Sequence, residues 1–195
     1  MTVVLDDRIE MAEIDDLSLD EMFERLEEAF PEGFKIEIIE GAVFVSPQRR
    51  THGQIIRKIC RQLEDQFGED AEIDVDMRID FPGYLNGFCP DIIKVVDGAE
   101  PNDDDRFAPH DIELTVEVIS RKTAHNDYGP KKALYARAGI PVYLIADPYT
   151  GKCHAFGGPD GDTYENEMTV KFGDPLNLKP LGLDFTLSTE KFPRD

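Results

Sequence analysis

Six consecutive residues, VYLIAD at 142–147, are almost wholly apolar up to the closing aspartate. A run so short, with no alternation of polar and apolar residues, reads as a central strand buried on both faces. Such a strand needs neighbours at both edges and a packing layer over each side. The rest of the chain supplies candidates for the layers. Ser18 and Glu21 have capping-box spacing, and Leu19, Met22, Phe23, Leu26 and Phe30 follow at helical period until Pro31-Glu32-Gly33. Residues 51–67 form a second helix, with Ile55, Ile56, Ile59, Cys60, Leu63 and Phe67 as its buried stripe and Gly68 as its stop. A third runs through about 128–138 and ends at Gly139.

The strands are equally legible. FKIEIIEGAVFVSP alternates around Glu40-Gly41, so it reads as a hairpin with strands near 34–39 and 42–46. Phe34, Ile36 and Ile38 share one face; Lys35, Glu37 and Ile39 share the other. Further strands are expected near 71–80, from Asp91 (DIIKVV) and over 112–119 (IELTVEVI), and the tail at 151–187 reads as short strands separated by Gly, Pro and Asp. This order predicts an α+β fold: a central mixed β-sheet flanked by helices, with an N-terminal helix and a C-terminal group of short strands. No internal repeat divides the chain. Its 195 residues suit one domain over 18–195 behind an acidic lead-in at 1–17, large enough to bury a core without disulfides.

Composition then narrows the function. No apolar run approaches the roughly 20 residues that span a bilayer, and MTVVLDDRIE lacks a signal-peptide pattern. Cys60, Cys89 and Cys153 are an odd count without zinc-ligand spacing, which favours a reducing cytoplasm over a disulfide framework. A formal charge of −20 speaks against a general nucleic-acid binder. The charge is unevenly placed, however. Arg49, Arg50, Arg57, Lys58 and Arg61 occupy 49–61 with no acid, and Arg121, Lys122, Lys131, Lys132 and Arg137 occupy 118–146 against Asp127 alone. An acidic body with a basic site mouth tolerates phosphate locally, and its binding should be weak and strongly salt-dependent.

Four residues break local rules, which is where function tends to sit. Glu117 interrupts TVEVI, on a strand that pattern alone reads as antiparallel with one solvated face. Asp91 follows Pro90 and opens an apolar strand, a position usually given to turn chemistry. Glu37 shares a strand face with Lys35 and Ile39, and Lys131 opposes the dipole at the start of its helix. Taken singly, each has an ordinary reading: solvated strand faces for Glu117 and Glu37, a turn for Asp91 and a surface lysine for Lys131. Together they have a chemical logic. Asp91 and Glu117 on successive strands can lie side by side, and two carboxylates, a backbone carbonyl and waters suit Mg²⁺. A lysine at the same edge can orient a water or neutralise a phosphate, and Glu37 is a third acid for the same place.

The stretch from Pro90 to Pro148 resembles the Uma-two family of endonucleases in the PD-(D/E)XK superfamily. The resemblance rests on Pro90-Asp91, then Glu117-Val118-Ile119-Ser120, Thr123, Asp127, Lys131, Tyr135, Gly139-Ile140-Pro141, Tyr143 and Asp147-Pro148. Glu37-Ile38-Ile39-Glu40-Gly41 and Ser46-Pro47 with His52 fit the family's first half. The resemblance implies a restriction-endonuclease-like core in which Asp91, Glu117 and the Val118 carbonyl bind Mg²⁺, which Mn²⁺ can replace. It implies Lys131, from the following helix, as the water-assisting lysine, because Ile119 stands where an E-x-K motif would have lysine. Glu37 becomes the accessory acid, with Glu40 as its rival. Leu144 and Val142 stand where the family commonly has Trp and Glu, and touch packing more than chemistry. His52 opens the helix after Arg49 and Arg50, as a phosphate contact, a base or a simple cap; with Arg121 and Lys122 these form the candidate substrate contacts. Asp127 is expected to cap the Lys131 helix, and Tyr135, four residues after Lys131, to pack in the core with its hydroxyl toward the site.

The leading expectation is a Mg²⁺-dependent endonuclease, with DNA favoured as substrate and a homodimer presenting two sites to a duplex. The rival is a non-catalytic module of the same fold that binds a protein or nucleic acid. A third reading is a hydrolase of a small phosphate ester.

Overall fold

A computed structural model describes residues 17–31, 33–47 and 50–195. All of the acidic lead-in but Leu17 therefore lies outside the described residues, as does Arg49. In chain order the elements are α1 (Leu19–Ala29), β1 (Phe34–Ile39), β2 (Ala42–Pro47), α2 (Arg50–Phe67), β3 (Ile73–Asp74), β4 (Ile79–Phe81), β5 (Asn86–Phe88) and β6 (Ile92–Val95). β7 (Ile112–Val118), α3 (Ala124–Tyr128), α4 (Pro130–Arg137), β8 (Val142–Asp147), β9 (Lys152–Asp160), β10 (Thr163–Lys171), β11 (Pro175–Asn177) and β12 (Thr186–Ser188) follow.

β8, the apolar run, lies inside a six-stranded sheet of order β10-β9-β8-β7-β6-β3 and is buried along its whole length. Its pairing with β7 is parallel, whereas β9 joins its other edge antiparallel. Parallel neighbours require a crossover, and α3 with α4 provides it. One face of the sheet packs on Ile55, Ile56, Ile59 and Leu63 of α2, which meet Leu114, Val116, Val118, Leu144 and Ala146. Burying each such side chain contributes about 1.5–3 kcal/mol, so α2 is a principal brace of the sheet. The opposite face packs Ile93, Tyr143 and Ile145 on Leu134 and Tyr135 of α4 and on Phe81 and Phe88.

A second sheet of order β2-β1-β5-β4 carries the hairpin. Its turn, Glu40 at φ 51 and Gly41 at φ 79, has the paired positive angles that suit a two-residue hairpin. The Asn86 side chain ties it down, accepting from the Glu40 N–H at 2.8 Å. The Ser18 capping box is present, with the Glu21 carboxylate on the Ser18 N–H at 2.8 Å. α1 buries Met22, Phe23 and Leu26 against Ile36, Ile38 and Val45. It approaches β5 so closely that a Cβ on Gly87 would come within 2.7 Å of the Phe23 ring.

Several elements differ from the sequence reading. The strand expected near 71–80 is two short pieces, β3 and β4, because Asp76 adopts a left-handed φ of 54 between them. The segment between the expected strands near 71–80 and at Asp91, rich in Pro, Gly and Asn and read as a loop, contains β5, in which Asn86 and Gly87 have little strand character of their own. The expected helix at 128–138 begins earlier, as α3, and restarts at Pro130, whose missing N–H favours a new first turn. The tail contains two nine-residue strands, β9 and β10, that extend the central sheet before the short β11 and β12. No helix among the described residues is long and apolar enough to cross a membrane.

Candidate active site

Alternation along β1 sends Ile36 and Ile38 into the α1 cluster and turns Lys35 and Glu37 the other way, toward the end of the large sheet. There Ile92 pairs with Val116 in antiparallel register, which sets Asp91 beside Glu117. α4 brings Lys131 and, one turn on, Tyr135; the first turn of α2 brings His52. The solvated face expected for β7 is absent, since α4 packs over it with Phe81 and Phe88, and Glu117 is 2% exposed.

The carboxylates are held by specific donors. Asp91 Oδ2 accepts from the Val118 N–H at 2.7 Å and faces His52 Nε2 at 3.0 Å, while Oδ1 lies 2.5 Å from Lys35 Nζ. Glu117 Oε1 accepts from the Tyr135 hydroxyl at 2.6 Å and from Lys131 Nζ at 2.5 Å. Lys131 also reaches Glu37 Oε1 at 2.8 Å and Asp127 Oδ1 at 3.2 Å. Lys35 stands 3.7 Å from Glu117 Oε2, 3.9 Å from Glu37 and 3.7 Å from Asp76.

Five carboxylates thus surround two ammonium groups and one imidazole, and the proton affinities record the imbalance. Burial raises the Glu117 pKa, as do Asp91 and Glu37, against the pull of Lys131 and Lys35. Asp127 is pushed up to about 8, by burial first and by Glu117, Glu37 and Asp91 after it, because Lys131 is shared three ways. Asp91 goes the other way. Burial opposes its charge, but Lys35 and His52 outweigh that and hold it below the usual carboxylate range. His52 is correspondingly raised: burial works against its charge, and Asp91 prevails.

Asp127 gives a pH test. A carboxyl whose folded pKa lies above its ordinary 3.8 stabilises the fold fully below that value, and the contribution is lost as pH rises toward about 8. Urea denaturation from pH 4 to 8 should show a shallower loss of stability in Asp127→Asn than in wild type. Parallel pH profiles would remove Asp127 from the account.

The structure places the sequence candidates unequally. Glu37, Asp91, Glu117, Val118, Lys131 and His52 line one cavity. Glu40 is at the exposed hairpin turn, outside that lining. Arg50 is exposed, and Arg121 is exposed above the Tyr149 ring in an outer hollow. Lys122 is exposed as well, and Lys132 lies over the Phe156 ring, away from the carboxylates. Asp127 does not cap the helix: α4 has Gly129 at its cap position and no side-chain cap, because Asp127 is inside α3 with its carboxylate on Lys131. Lys35 and Asp195 also line the cavity and were not anticipated. Lys35 had a signal, its shared strand face with Glu37; Asp195 had none, since the chain fold alone brings it to Thr51.

A model of the Uma2 (Uma-two) family, described as "Putative restriction endonuclease", matches residues 20–190. This chain belongs to the Uma2 family. The Uma2 chain is also similar to a crystal structure described as "a putative nuclease belonging to DUF820" from Anabaena variabilis ATCC 29413. That similarity has a TM-score of 0.64 at 15% identity and covers 90% of this chain and 97% of the other, a likeness of fold. No curated protein matches the sequence.

In this Uma2 protein the cavity has a volume of about 30 Å³, enough for an ion or a water or two. Pockets that enclose whole small molecules are about ten times larger. An outer hollow of about 440 Å³, lined by Thr51, Arg121, Tyr149 and Asp195, shares its last two residues with the cavity. Among the described residues no three His, Cys, Asp or Glu side chains form a ready-made metal cage. The donor set fits an ion that takes few protein oxygens and keeps its waters, as Mg²⁺ does, and not a closed structural zinc. The raised pKa values of Glu117 and Asp127 fit the same ion, since a divalent cation relieves the repulsion among the acids.

Proposed function

We propose that this Uma2 protein is a Mg²⁺-dependent endonuclease that hydrolyses phosphodiester bonds, with DNA as the favoured substrate. The observation that carries this reading is the convergence of Asp91, Glu117, Glu37 and Lys131 on one buried cavity. Asp91, Glu117 and the Val118 carbonyl would hold the ion. Bound there, Mg²⁺ supplies Lewis-acid polarisation of a phosphoryl oxygen and neutralises charge developing on the phosphate. Lys131 orients the attacking water and stabilises the added negative charge at phosphorus. Glu37 aims the Lys131 ammonium, and Tyr135 fixes the Glu117 carboxylate by its hydroxyl.

The small inner cavity and the larger hollow outside it favour a polymer laid across the mouth over a small ester enclosed in a pocket. Arg121 lines that hollow; Arg50 and Lys122, adjacent in sequence to Thr51 and Arg121, are exposed, and with Arg49 and His52 they make up the proposed contact set. A mouth lined by so few cations in so acidic a chain should bind weakly, and added salt should weaken it steeply. The free thiols of Cys60, Cys89 and Cys153 support a cytoplasmic setting. A homodimer, which would offer a duplex two sites, is checked by light scattering. The experiment for the activity is cleavage of mixed DNA and RNA with and without Mg²⁺ at 50 and 200 mM salt, a range chosen around the Debye regime. Cleavage that needs the ion and fades with salt is expected. Wild type no more active than Asp91→Ala would overturn the reading and favour the non-catalytic binding module.

A further inference from the structure

The chemistry proposed above leaves Lys35 without a task, although its ammonium is the most centrally placed cation of the site. On each carboxylate proposed to hold the ion, one oxygen is engaged by fixed donors. Asp91 Oδ2 takes the Val118 N–H and His52, and Glu117 Oε1 takes Tyr135 and Lys131. The other two oxygens, Asp91 Oδ1 and Glu117 Oε2, both face Lys35 Nζ, at 2.5 Å and 3.7 Å. Those are the oxygens left to ligate an ion. An ammonium and a divalent cation sharing them would repel strongly at such a separation.

We propose that Lys35 is an exchangeable cation: its ammonium holds Asp91 Oδ1 and Glu117 Oε2 in the free protein, yields them to a divalent ion, and then donates to a phosphate oxygen of the nucleic acid. The side chain suits both positions. A lysine carries a compact charge on a flexible four-carbon stem, and Lys35 lies in the cavity lining with Ser46 and Ser120, its side chain 9% exposed. Until the ion arrives, the ammonium keeps two buried carboxylates from repelling each other. Afterwards the same charge is released toward substrate, so metal uptake and phosphate binding are coupled through one side chain. This inference rests on the metal-nuclease reading.

The test is Mn²⁺ calorimetry on wild type, Lys35→Met and Lys35→Arg, with duplex binding followed by fluorescence anisotropy in Ca²⁺. Lys35→Met should bind Mn²⁺ about tenfold more tightly, because its competitor is gone, and should bind the duplex several-fold more weakly. Structural damage would weaken metal binding, so the direction identifies the exchange. Lys35→Arg keeps the charge and should bind Mn²⁺ no more tightly than wild type. Unchanged or weaker Mn²⁺ binding in a folded Lys35→Met overturns the exchange while leaving the nuclease reading intact. Should Lys35→Met fail to fold, tighter Mn²⁺ binding by Lys35→Arg overturns it instead. A wild type that takes up no Mn²⁺ overturns both.

Discussion

Glu117→Gln should lose about three orders of magnitude in metal-dependent cleavage, the scale expected when a group that stabilises transition-state charge is removed from a buried site. The same substitution should leave the fold nearly unharmed. Burial already pushes the Glu117 pKa upward, so a neutral amide replaces a carboxylate that the surroundings disfavour. The amide oxygen can still accept from the Tyr135 hydroxyl, which lies 2.6 Å from Oε1. Lys131 keeps Glu37 as a counter-charge and the Asp127 carboxyl as a further acceptor. Single-turnover cleavage with saturating Mg²⁺ measures the rate, and thermal unfolding of the same sample measures the fold. An active Glu117→Gln would remove Glu117 from the chemistry. An inactive and unfolded one would show that its role is to hold the sheet edge together.

Lys131→Met should fail on both counts. The side chain is 1% exposed and its ammonium serves Glu37, Glu117 and Asp127 at once, so methionine fills the space but leaves three buried acids without their shared cation. Removing one partner of a buried ionic cluster costs roughly 3–5 kcal/mol, which urea denaturation at pH 7 resolves. The sign with pH is definite. Acids stripped of a cation have folded pKa values above their unfolded ones, so stability is present at low pH and lost as pH rises; the variant should recover at pH 5. Adding Glu37→Gln should restore part of the stability at pH 7 and none of the activity, which separates the lysine's structural role from its chemical one. A double variant that regains cleavage would contradict the assignment of the water-assisting role to Lys131.

Much of this was legible in the chain because the site lies where regular elements end. The apolar VYLIAD run marks the buried strand β8, and the alternation of FKIEII orients Glu37 and Lys35 together. Tyr135 follows Lys131 by one helical turn, and both reach Glu117. What periodicity cannot express is contact between distant segments. Lys35 reads as a surface lysine until β1 is laid against the end of β6, 56 residues later in the chain. Asp127 has the look of a helix cap because it immediately precedes a helix expected over about 128–138, yet it lies inside α3, Gly129 takes the cap position of α4, and the Asp127 carboxylate meets Lys131. β5 was missed for a different reason: Asn86 and Gly87 are weak strand formers, held extended by pairing with β1 and β4 and by close contact with Phe23.

The charge of −20 remains informative once the site is seen. Arg57 and Arg61 are exposed along α2, beyond the His52 turn that reaches the cavity, so the local basic surplus at the mouth is smaller than the sequence tally suggests. The acids proposed to act are buried and shared among Lys35, Lys131 and His52. The central claim is that Asp91 and Glu117 form a divalent-cation site. Anomalous diffraction from a crystal soaked in Mn²⁺ tests it most directly. The expected result is a peak about 2.1 Å from an oxygen of each carboxylate, with Lys35 moved off Asp91. Ordered, unliganded Asp91 and Glu117 side chains with Lys35 still between them at saturating Mn²⁺ would contradict it.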